Sequence, residues 1–123
     1  MGQEERSLRD LILVIRNFVG ERGWERYHKP ASLAVSASIE IGELLELFQW
    51  LEDEEIEGYL KDEDYRSRLA SEIADVMIYL LRLADVTGID PSDAILSKMR
   101  ENEKKYPSDE WQSRIPSKIR EHR

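Results

Sequence analysis

Two pairs of acids, Glu40 with Glu43 and Glu72 with Asp75, are each spaced i, i+3 and have the donor chemistry to hold a hard divalent cation. Residues three apart share one face of a helix, so each pair offers its oxygens in one direction. With Glu40 at zero on a helical wheel, Glu43 falls near about 300° and Leu33, Leu44, Leu47 and Leu51 between about 340° and 40°. Measured from Glu72, Asp75 also falls near about 300°, among Leu69, Val76, Tyr79, Leu80 and Leu83. Both pairs therefore lie in apolar stripes, where unpaired charge is costly. Protonation, pairing with arginine or binding of a cation would each relieve that cost. Arg68 and Arg82 lie toward the same side of the third helix, too few for four acids, which leaves metal as the economical answer.

Oxygen-only ligands favour Mg²⁺, with Mn²⁺ also compatible, over zinc or copper. A carboxylate-bridged di-iron centre would want Glu-x-x-His on each of two helices, whereas the histidines are His28, in a loop, and His122, in the tail. In a chain that is 36% charged, a lone E-x-x-E is most simply a solvated face. Two such pairs on the apolar faces of consecutive helices carry the metal reading beyond that. Glu46, near about 240° on the first wheel, stands at the stripe's edge, with the roles of ligand, supporting base and plain surface all open.

The elements that must position these acids are helices. Apolar periodicity and caps predict an all-α chain with four main helices and no period-2 strand. The first, about 7–20, has Ser7 and Asp10 as a capping box and buries Leu8, Leu11, Ile12, Ile15, Phe18 and Val19. The second, about 31–51, follows Pro30 and carries Leu33, Ala37, Ile41, Leu44, Leu47, Phe48 and Leu51. The third, about 65–87, carries Leu69, Ile73, Val76, Tyr79, Leu80 and Leu83 and ends at Gly88. Asp90 and Pro91 open a fourth that reaches about Lys105. Between the second and third, residues 52–64 hold eight acids and one lysine, read as a solvated acidic loop.

Composition bounds the rest. A length of 123 residues fits one domain, expected over 1–107 with a charged tail at 108–123. The absence of cysteine excludes thiolate chemistry and fits a reducing compartment. With neither a basic-then-apolar N-terminus nor a membrane-length apolar run, the expected location is cytoplasmic, away from membranes. A net charge of −8 argues against binding a nucleic-acid polymer.

On these residues the chain resembles the all-α nucleotide pyrophosphohydrolases of the MazG-like superfamily, and within them the dCTP pyrophosphatase branch. The likeness spans about residues 8–107 and is carried by WERYHKP at 24–30, EIGELLELFQW at 40–50, SEIADVMIYLLRLA at 71–84 and SKMRENEKKYP at 97–107. The family's E-x-x-E and E-x-x-D map onto Glu40, Glu43, Glu72 and Asp75. The resemblance implies Mg²⁺-dependent hydrolysis of a nucleoside triphosphate between its α and β phosphorus atoms, with these four acids as metal-binding and catalytic residues. It implies a base and sugar pocket from Trp24, Glu25, Arg26, Tyr27 and His28 with Trp50 and Tyr79, and phosphate contacts from Lys98, Asn102 and Lys105. By themselves Trp50 and Tyr79, on apolar helix faces, read as core, and Lys98, Asn102 and Lys105 as a solvated face. Lys105 stands where relatives commonly have arginine, and Ile15 where some dCTP-hydrolysing relatives have histidine. Both departures bear on which nucleotide is taken.

The resemblance also implies a four- to five-helix bundle that self-associates, as a dimer or, preferred here, a tetramer built from two dimers with sites near subunit boundaries. Two helix pairs would leave apolar faces that one small bundle cannot cover. The alternatives are the same fold acting on a different nucleotide, and a non-catalytic helical interaction module using the acidic loop and tail. Retention of all four acids argues against the module.

Overall fold

The first helix, α1 (Leu8–Glu21), begins at the cap its sequence dictates: Ser7 Oγ accepts from the Asp10 N–H and the Asp10 carboxylate accepts from the Ser7 N–H, both at 3.1 Å. The exchange satisfies two amides that a helix start leaves without intrahelical partners. A single 3-10 turn, Glu25–Tyr27, interrupts the loop that follows. α2 (Pro30–Glu46) starts on its proline, where a missing N–H costs nothing. α3 (Asp53–Tyr59) is short, and α4 (Glu63–Thr87) is the longest element, ending at Gly88 with φ 71° in the left-handed region. α5 (Pro91–Lys105) opens under Asp90, whose carboxylate accepts from the Ser92 and Asp93 amides at 2.9 and 3.3 Å, and α6 (Ser108–Trp111) is a single turn.

The computed structural model describes residues 5–114, so His122 and the tail from 115 onward lie outside the described residues. Every element among those described is helical, as the periodicity predicts. No helix among them is long and apolar enough to cross a membrane.

Two elements depart from expectation. The helix expected to run to about residue 51 ends at Glu46, because the Leu47 and Phe48 amides bond only three residues back, to Leu44 and Leu45, at 3.1 and 3.0 Å. The Leu47 carbonyl is then taken by the Tyr65 hydroxyl at 2.7 Å, a tertiary partner that no local pattern encodes. The acidic stretch expected as loop contains α3. There the Glu55 carboxylate accepts from the Glu52 N–H at 3.1 Å, and Asp53, Glu54 and Glu55 fill a first turn whose positive dipole end favours them. With α6, this makes six α-helices among the described residues rather than four or five.

The chain divides between Ile89 and Asp90 into two compact units. In the first, α4 packs along α2 and against α1. Tyr65 at the start of α4 meets Leu47 just past α2, whereas Arg82 near the end of α4 meets His28 just before α2, so these two helices run antiparallel. Val19, Leu33, Ala37, Leu47, Tyr65 and Leu81 are buried. Leu11, Phe18, Ile41, Ile73 and Leu80, expected in the core, are exposed instead, since two helices against α4 cover only part of each apolar stripe. The second unit holds α5 and α6, where the Tyr106 and Trp111 rings meet edge to face at 5.0 Å.

A charged chain ties the first unit together away from its apolar core. Arg82, only 6% exposed, donates from Nη1 to Asp85 at 3.0 Å and from Nε to His28 Nδ1 at 3.0 Å. Asp85 also accepts two bonds from Arg16 on α1, at 3.0 and 2.6 Å. Those bonds, with the nearby guanidinium charges, hold Asp85 below the usual carboxylate range against its partial burial. Removing one member strands a buried charge. Asp85→Ala is therefore expected to lower the unfolding free energy by about 3–5 kcal/mol in urea denaturation, and a loss below about 1 kcal/mol would mean that Arg82 recovers its hydrogen bonds elsewhere.

Candidate metal centre

Because α2 and α4 are antiparallel and packed, acids placed mid-helix on their facing sides must meet. Glu40, Glu43 and Glu72 each bring a carboxylate oxygen to within 4.8 Å of the others. Glu40 and Glu72 are half-buried, and one oxygen of each, Oε2, is shielded from solvent with no hydrogen-bond partner. Glu43 is exposed at the outer side of the group, whereas the wheel set it inside the stripe. Asp75, half-buried one turn beyond Glu72, adds its negative charge to both Glu40 and Glu72.

The electrostatics follow from this crowding. Glu40 is raised from the ordinary value near 4.5 to about 7, first because sharing a proton with the neighbouring Glu43 carboxylate favours its protonated form, then by desolvation and by the charges of Glu43, Asp75 and Glu72. Glu72 is raised by desolvation and by Glu43, Asp75 and Glu46, with Arg68 opposing. Arg68 is the arginine that acts on the cluster; Arg82, the other candidate partner in the sequence, is committed to Asp85 and His28. Glu46 is exposed, and its charge reaches Glu72.

Shielded, orphaned carboxylate oxygens and a proton affinity raised by like charge are what a hard cation would relieve. An all-oxygen donor set of this kind fits Mg²⁺ or Mn²⁺. The residues present therefore fit a divalent ion, held by Glu40, Glu43 and Glu72 with Asp75 beside them.

The other site residues expected from the sequence fall into three places. Trp24 to His28 precede α2: Trp24 is exposed and meets the Phe18 ring edge to face at 5.7 Å, Glu25 to Tyr27 form the 3-10 turn, and Arg26 lies 4.8 Å over the Tyr27 ring. Trp50 follows α2, is 90% exposed and adopts φ 68°, a left-handed conformation that is strained for a bulky residue. It is not core. Since α2 spans 17 residues, about 25 Å at helical rise, the Trp24–His28 loop and Trp50 of one chain stand at opposite ends of the helix. Tyr79 is half-buried one turn past Asp75 on α4. Lys98, Asn102 and Lys105 belong to α5 of the second unit, where Lys98 lies 3.9 Å from Glu101 and Lys105 stands 5.3 Å over the Tyr106 ring.

Sequence reasoning missed Arg16 and Asp85. The signal available was local: Arg82 and Asp85 are spaced i, i+3, and Arg16 interrupts the apolar run of α1.

The family model described as MazG-like family matches residues 35–115, which includes all four acids. The dCTP pyrophosphatase 1 of Homo sapiens is 41% identical over 106 residues, covering 85% of this chain and 61% of that protein. The Bos taurus dCTP pyrophosphatase 1 is 39% identical over 103 residues, covering 84% and 61%. The chain thus spans about three-fifths of the length of these curated relatives. A crystal structure of a pyrophosphatase from Archaeoglobus fulgidus superposes with a TM-score of 0.77 at 44% identity, covering 87% of this chain and 98% of that one.

The raised acids have a measurable consequence. A carboxylate raised on folding binds its proton more tightly in the native state, so its contribution to stability falls as pH rises, here between about 4.5 and 7. A cation that binds the ionised cluster reverses this. Without metal, the melting temperature is expected to fall from pH 5 to pH 8. Mg²⁺ or Mn²⁺ should raise it at pH 8 and scarcely at pH 5, and an equal metal response at both would remove the link to these carboxylates.

Proposed function

The chain belongs to the MazG-like family, and from that premise we propose that it is a Mg²⁺-dependent nucleoside triphosphate pyrophosphohydrolase. Its proposed substrate is a dCTP-like or non-canonical (deoxy)nucleoside triphosphate, cleaved to the monophosphate and pyrophosphate in cleaning of the nucleotide pool. The observation that carries this reading is the orphaned, shielded oxygen on each of Glu40 and Glu72, within the carboxylate group that Glu40, Glu43 and Glu72 form across α2 and α4 with Asp75 alongside. Curated relatives named dCTP pyrophosphatase 1 and a solved relative named a pyrophosphatase support the reaction class.

When bound, the cation supplies charge neutralisation for the triphosphate and polarisation at the α phosphorus. The chain's own part is to hold the carboxylates of Glu40, Glu43 and Glu72 together on two packed helices with Asp75 beside them, so that little reorganisation is needed when the substrate arrives. A water oxygen forms the new bond to the α phosphorus, the bond to the α–β bridging oxygen breaks, and pyrophosphate leaves. The proton lost by the water would pass to a carboxylate oxygen of the cluster that does not hold the cation. Trp24, Tyr27, Trp50 and Tyr79 supply rings able to stack on a base, with Glu25, Arg26 and His28 as polar contacts. Lys98, Asn102 and Lys105 are assigned to the phosphates on the resemblance of residues 97–107. The catalytic domain is placed at 1–107, the charged tail at 108–123, and the protein in the cytoplasm.

Self-association belongs to the same proposal, as a tetramer of two dimers. It is supported by the exposed apolar residues of α1, α2 and α4, among them Leu11, Val14, Phe18, Val35, Ile39, Leu45, Met77 and Leu80. The separation of the Trp24–His28 loop from Trp50 supports it too, since a second copy is a ready means of bringing one of them to the other. Light scattering on a sizing column is expected to give four times the chain mass; a monomer at micromolar concentration would remove the assembly.

The activity is tested with a nucleotide panel, with and without Mg²⁺, assayed for pyrophosphate. Metal-dependent release is expected, with Glu43→Gln and Asp75→Asn each lowering kcat by at least about 100-fold. Release from no nucleotide would sink the proposal, and orthophosphate alone would move the cleavage to the terminal phosphate.

A further inference from the structure

Among the described residues of the Trp24–His28 loop, His28 has its side chain held by a hydrogen bond from another element: its Nδ1 accepts the Arg82 Nε–H at 3.0 Å. A guanidinium nitrogen can only donate, so Nδ1 must be unprotonated and a neutral ring must carry its proton on Nε2. Arg82 cannot drift, because Asp85 holds its Nη1 and is itself gripped twice by Arg16. The order Arg16, Asp85, Arg82, His28 is thus a rigid relay from α1 through α4 to the loop.

We propose that Arg82 is a positioning residue that sets the orientation and tautomer of His28, so that Nε2–H is the donor this loop offers to an uncharged acceptor on the bound nucleotide, a base carbonyl, ring nitrogen or sugar oxygen. The inference rests on the function proposed above. A neutral donor suits the base and sugar rather than the phosphates, which would be better met by an imidazolium. Two features keep the ring neutral: partial burial first, then the Arg82 charge, against which only Glu25 pulls the other way. Placement agrees, since His28 lies just before α2 and Glu40 lies ten residues, about 15 Å, along that helix from Pro30, so that the loop stands away from the carboxylates that would face the phosphates. The role differs from that of a ligand or base, because Arg82 acts only through His28.

The test combines a tautomer readout with kinetics. Ring nitrogen chemical shifts of ¹⁵N-labelled full-length protein at neutral pH are expected to place the His28 proton on Nε2, and Arg82→Lys is expected to lose that single form. A wild-type ring protonated on Nδ1 overturns the proposal. In pyrophosphate release, Arg82→Lys and His28→Leu should each raise KM by about 10-fold with kcat within about 3-fold, the loss of one neutral hydrogen bond. His28→Gln, whose amide can accept from Arg82 and donate outward, should keep KM within about 3-fold of wild type. A folded Arg82→Lys protein with unchanged tautomer and KM overturns the proposal, as does a fall in kcat at constant KM. If Arg82→Lys does not fold, the two His28 variants decide, and equal KM values for them overturn it. The tautomer measurement needs no substrate, so it succeeds or fails independently of whether any nucleotide is hydrolysed.

Discussion

Like charge held together between α2 and α4 is the constraint around which the first unit is built. Along α2 the buried side passes from Leu33 through Ala37 to Glu40 and on to Leu47, so a carboxylate stands where a core side chain would continue the stripe. Glu72 and Asp75 do the same on α4. Packing these faces brings acids into mutual repulsion, and hydrophobic burial by six residues must hold them there. The helix pair is pinned at both ends of this charged centre: Tyr65 to the Leu47 carbonyl at one, Arg82 to His28 at the other. Each pin is a specific hydrogen bond involving a buried side chain, so the middle of the pair cannot open without unmaking an end.

How much of this the sequence revealed depends on whether the cause was local. Ser7 with Asp10, Pro30, Gly88 and Asp90 each act within one turn, and each begins or ends a helix within a residue or two of expectation. That Glu40 and Glu72 would meet was legible because each falls at the period of the apolar residues around it, whereas the exposure of Glu43 was not. The end of α2 was not, since the Tyr65 hydroxyl that takes the Leu47 carbonyl comes from 18 residues away. Reading 52–64 as a solvated loop weighed only net charge; acids gathered in a first turn favour a helix, and α3 forms there. The Arg16–Asp85–Arg82–His28 chain joins residues up to 69 apart, beyond any periodic pattern.

Burial was overestimated for a related reason. An apolar stripe records that a side chain avoids water, and says nothing of which surface covers it. Leu11, Phe18, Ile41, Ile73 and Leu80 have the right period for a core, yet the first unit alone leaves them exposed. Trp50 goes further: it lies outside the helix altogether, with a backbone conformation that a bulky side chain adopts only at a cost. Nothing in its own unit covers this strained, solvent-facing tryptophan.

The two ends of α2 then set a problem that one copy of the chain does not solve. The aromatic residues proposed to receive a base, Trp24 and Tyr27 before the helix and Trp50 after it, are separated by about the length of the helix itself. The acids lie between them, with Glu40 and Glu43 in the second half of α2. A nucleotide with its phosphates at the acids can extend toward one end or the other, but its base cannot stack at both. Either one aromatic group is idle, or it serves a site on a neighbouring copy. The second is the assembly proposed above, in which the apolar faces left bare on α1, α2 and α4 would carry the neighbouring copy. On this view the rigidity of the Arg82 relay is most useful where it holds His28 against a nucleotide whose phosphates are bound by other residues. A contact assembled across subunits cannot be adjusted by the strand of chain that bears it, so its geometry has to be fixed in advance.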